Sequence, residues 1–120
     1  MQKIMFLLKM EAANSVGPDF YNFVPYNYGP FDSAVYKDVK ELEVLGDLIV
    51  EVDGFRSWPT YVLSPKGRIK SDEIRSKLDQ QLAQFFCEVV QWVKARTFSD
   101  LLRAIYAKYP EYAKNSVFRG

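Results

Sequence analysis

The chain has 120 residues with 16 basic and 15 acidic side chains, a net charge of +1, which favours one domain over residues 1–120 and excludes the positive field of an indiscriminate nucleic-acid binder. It has no histidine, which excludes His general bases, Ser-His and Cys-His catalysis and His metal sites together. Because Cys87 is the single cysteine, no disulfide can form within the chain, and we expect a reducing, cytoplasmic location.

The first predicted element is a helix over residues 2–13, which ends where residues 14–18 break the pattern. Its apolar run, residues 4–8, is shorter than a signal peptide or a membrane span requires, so no membrane association is predicted. The helix is apolar on more than one side, and we therefore expect burial on more than one side. The residues responsible are Met5, Phe6 and Met10.

The best-marked helix follows an aromatic stretch, residues 20–31, which contains the turn Gly29-Pro30. Aromatic residues with proline favour extended backbone, and a short strand is predicted at residues 22–24. Asp32 can accept amide hydrogens as the N-cap of the helix, and Gly46 closes its C-terminus.

The two faces of this helix differ in character at 100° per residue. The face predicted to point at the core consists of Val35, Val39, Leu42 and Leu45. The opposite, outward face consists of Ser33, Tyr36, Lys37, Lys40, Glu41 and Val44. We expect function to depend on the outward face.

A hairpin and two further helices complete the predicted elements. Strands are expected at residues 48–52 and 60–63, joined by a loop whose tip places Arg56 between Phe55 and Trp58. Ser64 and Pro65 predict the start of a long helix that runs to about Arg96, with Gly67 and Ser71 as possible breaks. Thr97 and Asp100 resemble a capping box that opens a last helix, and Pro110 stops it.

The element order is helix, extended segment, helix, two-stranded hairpin and long helix, which is the plan of a winged helix. The sequence therefore predicts an α+β, mainly helical fold: a winged helix-turn-helix with a two-stranded wing and extra C-terminal helices. Residues 1–64 would form the helix-turn-helix and wing. Residues 65–120 would form the long C-terminal helix and a capping helix.

Two motifs carry a family resemblance, FVPYNYGPF before the amphipathic helix and YVLSPKGR before the long helix. With them the chain resembles the YwgA-like winged-helix proteins and, more remotely, the Panacea or SocA-like antitoxin domains. The resemblance covers roughly Met1 to Tyr109. Proteins of this kind have a further helix before the segment that MQKIMFLLK resembles, and the Panacea type ends in Pro-Trp; both features are absent from this sequence.

Nucleic-acid binding is one functional hypothesis, since the second helix of a helix-turn-helix enters the major groove and a wing reaches the backbone or the minor groove. The predicted contacts lie on the outward face, on the wing tip and at the start of the long helix. They are Ser33, Tyr36, Lys37, Lys40, Arg56, Lys66, Arg68 and Lys70. Glu41 lies amid the outward face and opposes this hypothesis, because a carboxylate repels phosphate.

Protein binding is the other hypothesis, and the sequence favours it. Apolar residues occur on the outward face, on the wing and on a second stripe of the long helix, where another chain could bury them. The predicted protein-binding residues are Val44, Phe55, Trp58, Phe86, Val90 and Val93.

The sequence thus predicts a non-enzymatic binding module that acts through protein–protein association, as a homodimer or as one subunit of a heteromer. A DNA-binding transcriptional regulator, contacting duplex DNA, is the alternative. The acidic residues match no ligand loop, and the glycines form no phosphate-binding pattern. No metal, cofactor or small-molecule substrate is therefore expected.

Overall fold

The computed structural model of the chain describes residues 1–52, 54 and 59–118. These residues form a mainly helical α+β fold, which confirms the predicted fold class at that level. Within the described ranges, no helix is both long and apolar enough to cross a lipid bilayer.

The elements follow the predicted order with two additions, a short second helix and an extra strand, and with one change, because two helices replace the predicted long helix. They are α1 Gln2–Glu11, α2 Ala13–Val16, β1 Val24–Tyr26, β2 Gly29–Phe31, α3 Ser33–Val44, β3 Leu48–Glu51, β4 Thr60–Leu63, α4 Pro65–Lys77, α5 Gln80–Lys94 and α6 Phe98–Lys108, followed by a 3₁₀ turn at Pro110–Ala113.

The chain divides into two compact units. The first unit comprises residues 1–35 and 80–120, and the second comprises residues 36–79. The expected single domain over residues 1–120 stays a prediction.

Phe6 is the centre of the core of the first unit. Its side chain is fully buried, and three aromatic rings meet it edge-on at centroid distances of 5.5 Å (Phe23), 5.2 Å (Tyr109) and 4.7 Å (Tyr112). Leu7 and Leu8 beside it are also buried. The helix α1 is therefore buried on more than one side, as predicted, through Phe6, Leu7 and Leu8. Met10, one of the residues on which that prediction rested, is 36% exposed.

The structure has a small hairpin, β1 with β2, where the sequence predicted one short strand at residues 22–24 and a turn at Gly29-Pro30. The first strand lies at Val24–Tyr26 instead, and Gly29 and Pro30 belong to β2. The strands pair antiparallel with Pro25 opposite Pro30, and a two-residue turn joins Tyr26 to Gly29. Proline is tolerated here because a two-stranded ribbon consists of edges only. The C-terminal segment holds this turn: the Val117 amide donates to the carbonyl of Asn27 at 2.9 Å.

The start of α3 is fixed by two side chains of the first unit. Asp32 Oδ1 accepts a hydrogen bond from the Ala34 amide at 2.9 Å, and Oδ2 accepts one from the Asn22 amide at 2.6 Å. These bonds stabilise the carboxylate and lower the pKa of Asp32. The buried Gln2 amide group donates to the Asp32 carbonyl at 2.8 Å and accepts from the Asp32 amide at 3.0 Å. The predicted N-cap is confirmed.

The prediction of one long helix from residue 65 to about Arg96 is wrong, because the structure has two helices there. α4 ends at Lys77, where Leu78 has extended backbone at φ −79° and ψ 151°, and α5 begins at Gln80. Asp79 immediately precedes α5, and aspartate favours helix N-termini over helix interiors. The interruption lies at residues 78–79, beyond the possible breaks at Gly67 and Ser71.

Candidate functional site

The second unit is organised around the turn between α3 and β3. Gly46 has φ 81°, a left-handed conformation that favours glycine. Its amide donates to the Glu43 carbonyl at 3.0 Å, and the Asp47 amide donates to the Leu42 carbonyl at 3.0 Å. This pair of bonds is the Schellman motif, and it satisfies two carbonyls at the end of α3. The predicted helix closure at Gly46 is confirmed.

Ser64 connects this turn to the start of α4. Its hydroxyl donates to the Gly46 carbonyl at 2.6 Å and accepts from the Gly67 amide at 2.9 Å, which makes Ser64 the N-cap of α4. The Ser64 amide donates to the Asp47 carbonyl at 3.1 Å. One residue thus ties the end of one helix to the beginning of the next.

Two lysines of α4 reach back to the same turn. Lys66 Nζ donates to the Leu45 carbonyl at 2.8 Å, where a cation interacts favourably with the C-terminal end of a helix. Lys70 Nζ lies 2.8 Å from Asp47 Oδ2, and the Asp47 side chain is only 8% exposed. Lys66 and Lys70 therefore stabilise the second unit, and their predicted role as phosphate contacts stays a prediction.

The other predicted nucleic-acid contacts on the described part of the chain have exposed side chains. Lys40 pairs with Glu43 at 3.1 Å on the surface of α3. Tyr36 also interacts with Tyr61 on β4: the pKa of Tyr61 is raised first by burial and then by its electrostatic interaction with Tyr36. The exposed members are Ser33, Tyr36, Lys37, Lys40 and Arg68. Arg56 lies outside the described residues, as do Phe55 and Trp58 of the predicted protein-binding set.

The hydrophobic side chains of the second unit are mostly on its surface. Among its described residues, the buried hydrophobic ones are Val39 and Leu48. The large exposed aliphatic residues include Val52, Val44 and Ile69, at 81%, 74% and 70% of full exposure, and also Leu42, Leu45, Ile49, Val62, Leu63, Ile74 and Leu78. Val44 was predicted to face outward, and the structure places it so.

The predicted core face of α3 is wrong at Leu42 and Leu45. Val35 and Val39 are buried, whereas Leu42 is 43% exposed and Leu45 is 50% exposed. The helical period places all four on one side, but the structure offers buried neighbours only to the first half of α3.

The exposure of Ile69 and Ile74 was not predicted, although the sequence of α4 indicates it. Between Pro65 and Lys77 they are the only large apolar residues, and charged side chains occur all around them. A helix with so few apolar positions cannot bury a wide face against a core. Apart from Gly67, every residue of α4 is exposed.

The remaining predicted protein-binding residues lie in the first unit. Phe86, Val90 and Val93 on α5 are each partly buried, and Phe86 and Val93 pack against the core cluster around Phe6. Their packing accounts for part of their apolar surface. Their role in binding another chain stays a prediction.

Comparison of the chain with models of protein families, with curated proteins and with solved structures finds no significant match. The resemblance to YwgA-like proteins therefore stays a prediction.

Proposed function

We propose that the chain is a non-enzymatic winged-helix module whose work is to associate with another protein chain, either a second copy or a different subunit. The observation that carries this proposal is the surface of the second unit, where Val44, Val52 and Ile69 are largely exposed. The winged-helix arrangement is proposed from element order: a helix, the hairpin of β3 and β4 and then α4 follow in succession. The remote resemblance to antitoxin domains suggests an antitoxin-like or defence-associated partner.

The free energy gained by burying exposed apolar surface supports a protein partner. Burying apolar surface contributes about 25 cal/mol per Å², and a standard interface covers about 800 Å² on each partner. The exposed aliphatic residues occur on α3, on the hairpin and on α4, so they supply apolar area from each element of the second unit. Exposed apolar patches rimmed by charged residues are typical of protein interaction sites.

DNA binding is the second candidate, and the exposure of one side of α3 favours it. Tyr36, Lys37 and Lys40 are exposed there and could reach base edges or phosphates. Glu41 is exposed on the same helix and Asp38 flanks these residues, and both repel phosphate. Lys66 and Lys70 are already engaged with Leu45 and Asp47.

Light scattering of the purified chain tests whether the partner is a second copy. We expect a mass above the 13.9 kDa of one chain, and we expect Val44→Asp combined with Ile74→Asp to lower it. Val117→Asp, at a half-exposed residue of the first unit, is the matched control and should leave the mass unchanged. A wild-type mass of 13.9 kDa at every concentration would rule out the homodimer.

Fluorescence anisotropy with duplex DNA tests the alternative. If the protein contacts phosphates, its affinity for DNA should fall steeply between low and moderate salt. The double variant Lys37→Ala and Lys40→Ala should then bind DNA more weakly than the wild type. Absence of binding at low salt would exclude DNA as the partner.

A further inference from the structure

A cleft of about 400 Å³ lies in the first unit and is lined by α1, α5 and α6. Its most buried lining residues are Leu7, Val89 and Ile105, and the aromatic rings of Phe85 and Trp92 also line it. Pockets for small molecules have volumes of about 300 to 1,000 Å³, mostly apolar walls and a few polar groups that fix orientation. The cleft has the size and the walls of such a pocket.

The polar groups of the cleft form one hydrogen-bonded cluster. Lys108 Nζ lies 2.5 Å from Glu11 Oε1, and the Tyr109 hydroxyl donates to the same oxygen. The hydrogen bonds from Lys108 and Tyr109 lower the pKa of Glu11, whereas burial and the bond to Glu11 raise the pKa of Tyr109. At neutral pH the carboxylate is therefore charged and the phenol is neutral.

The two oxygens of this carboxylate differ in their bonding. Both bonds end on Oε1, and within the described part of the chain no donor bonds to Oε2 of Glu11. A carboxylate oxygen only accepts hydrogen bonds, so the group that fits there is an N–H or O–H donor.

The position of Glu11 selects among donors. The lining residues include two carboxylates, Glu11 and Glu88, and one ammonium, Lys108, and the Arg96 guanidinium carbon lies 4.0 Å from the ring centroid of Trp92, so the charges at and beside the cleft balance. An ammonium group on a ligand would be attracted to the Glu11 carboxylate at Oε2, and a carboxylate placed there would be repelled. Trp92 adds an aromatic ring to the wall of the cleft.

We propose that this cleft binds a small arylalkyl amine, with the ammonium group on Glu11 Oε2 and the ring against Leu7, Val89 and Ile105. The site belongs to the first unit alone and is independent of the association proposed for the second. It assigns the chain a small-molecule ligand, which the sequence did not predict.

The test uses Trp92 as the reporter in the full-length chain. The sequence has two tryptophans, so Trp58→Phe leaves only the one that lines the cleft. Phenethylamine, phenethyl alcohol and phenylpropionate are titrated against its fluorescence; they share a ring and differ in the polar end. We expect saturable binding of the amine about tenfold tighter than that of the alcohol, with the carboxylate weakest. Equal affinities for the three, or no saturable change with the amine, would overturn the proposal.

Three variants test where the amine binds. Ala104→Phe places a ring in the cleft and should abolish the amine response, whereas Ala107→Phe, at an exposed position of the same helix, should leave it intact. Glu11→Gln should reduce the preference for amine over alcohol to about equality, because it removes the charge and keeps the size. An unchanged preference in Glu11→Gln would contradict the assignment. If any of these variants fails to fold, titration of the three ligands against the protein with the unaltered cleft still tests whether the cleft prefers an amine.

Discussion

Gly67 packs directly against the backbone carbonyl of Asp47: a Cβ built on residue 67 would lie 1.9 Å from the Asp47 oxygen. Real Cβ atoms do not approach backbone oxygens so closely, so only glycine fits this position without movement of the backbone. The same carbonyl accepts a hydrogen bond from the Ser64 amide. The close approach therefore sets how the start of α4 joins the turn after α3.

Gly67→Ala should destabilise the second unit. The added methyl group must displace backbone rather than a flexible side chain, and overpacking of this kind costs about 1 to 3 kcal/mol in the free energy of unfolding. Chemical denaturation followed by circular dichroism measures the loss.

Gly54→Ala is the matched control for that substitution. No atom of the described residues lies within 4 Å of the Cβ it would add, so its free energy of unfolding should stay near that of the wild type. If both variants were equally stable, the close packing of residue 67 on Asp47 would be contradicted.

Lys70→Met should also lower stability, because it leaves Asp47 without its partner. Asp47 Oδ2 accepts from Lys70 at 2.8 Å, and Oδ1 is buried with no hydrogen bond from the described residues. A buried polar group that loses its partner costs about 1 to 3 kcal/mol. Denaturant unfolding at neutral pH checks this expectation.

Arg68→Met is the control for Lys70→Met, since Arg68 is an exposed cation two residues away. It should change the free energy of unfolding little. A similar loss in both variants would show that the charge of α4, and not the bond to Asp47, accounts for the effect.

Glu11 should make stability depend on acid pH. Its pKa in the folded protein is lowered by Lys108 and then by Tyr109. The stabilisation is therefore fully present above the ordinary carboxyl pKa, near 4.5, and is lost as the pH falls through the lower folded value. The variant Glu11→Gln should lack this part of the acid dependence.

Thermal unfolding between about pH 2 and pH 7 compares the two proteins, and it covers the window set by the carboxyl pKa. The difference in stability between wild type and Glu11→Gln should be constant near neutrality and should shrink in acid. Asp72→Asn, at an exposed residue of α4, should follow the wild-type profile. A difference that did not vary with pH would contradict a charged, bonded Glu11.

The local signals of the sequence predicted the starts of three helices and the end of α3. The side chains of Asp32, Ser64 and Thr97 each accept an amide hydrogen at a helix start, and Gly46 closes α3. Caps are decided by residues within one turn of each other, so sequence spacing is sufficient to find them.

Contacts between residues far apart in the chain could not be predicted from the sequence pattern. Lys66 and Lys70 contact Leu45 and Asp47, which are 21 and 23 residues away, so their side chains looked free in the sequence. The outward position of Val44 followed from helical geometry alone. The exposure of Leu42 did not, because it depends on which elements pack against the end of α3.

The central claim is that the apolar surface of the second unit binds another protein chain. The most direct measurement places a photoreactive phenylalanine derivative at Val44 or at Ile74 and irradiates cells that make the protein. The matched control position is Lys94, an exposed residue at the end of α5 in the first unit. We expect protein adducts of defined mass from positions 44 and 74 and none from position 94. Absence of a protein adduct at positions 44 and 74, or adducts with nucleic acid alone, would contradict the claim.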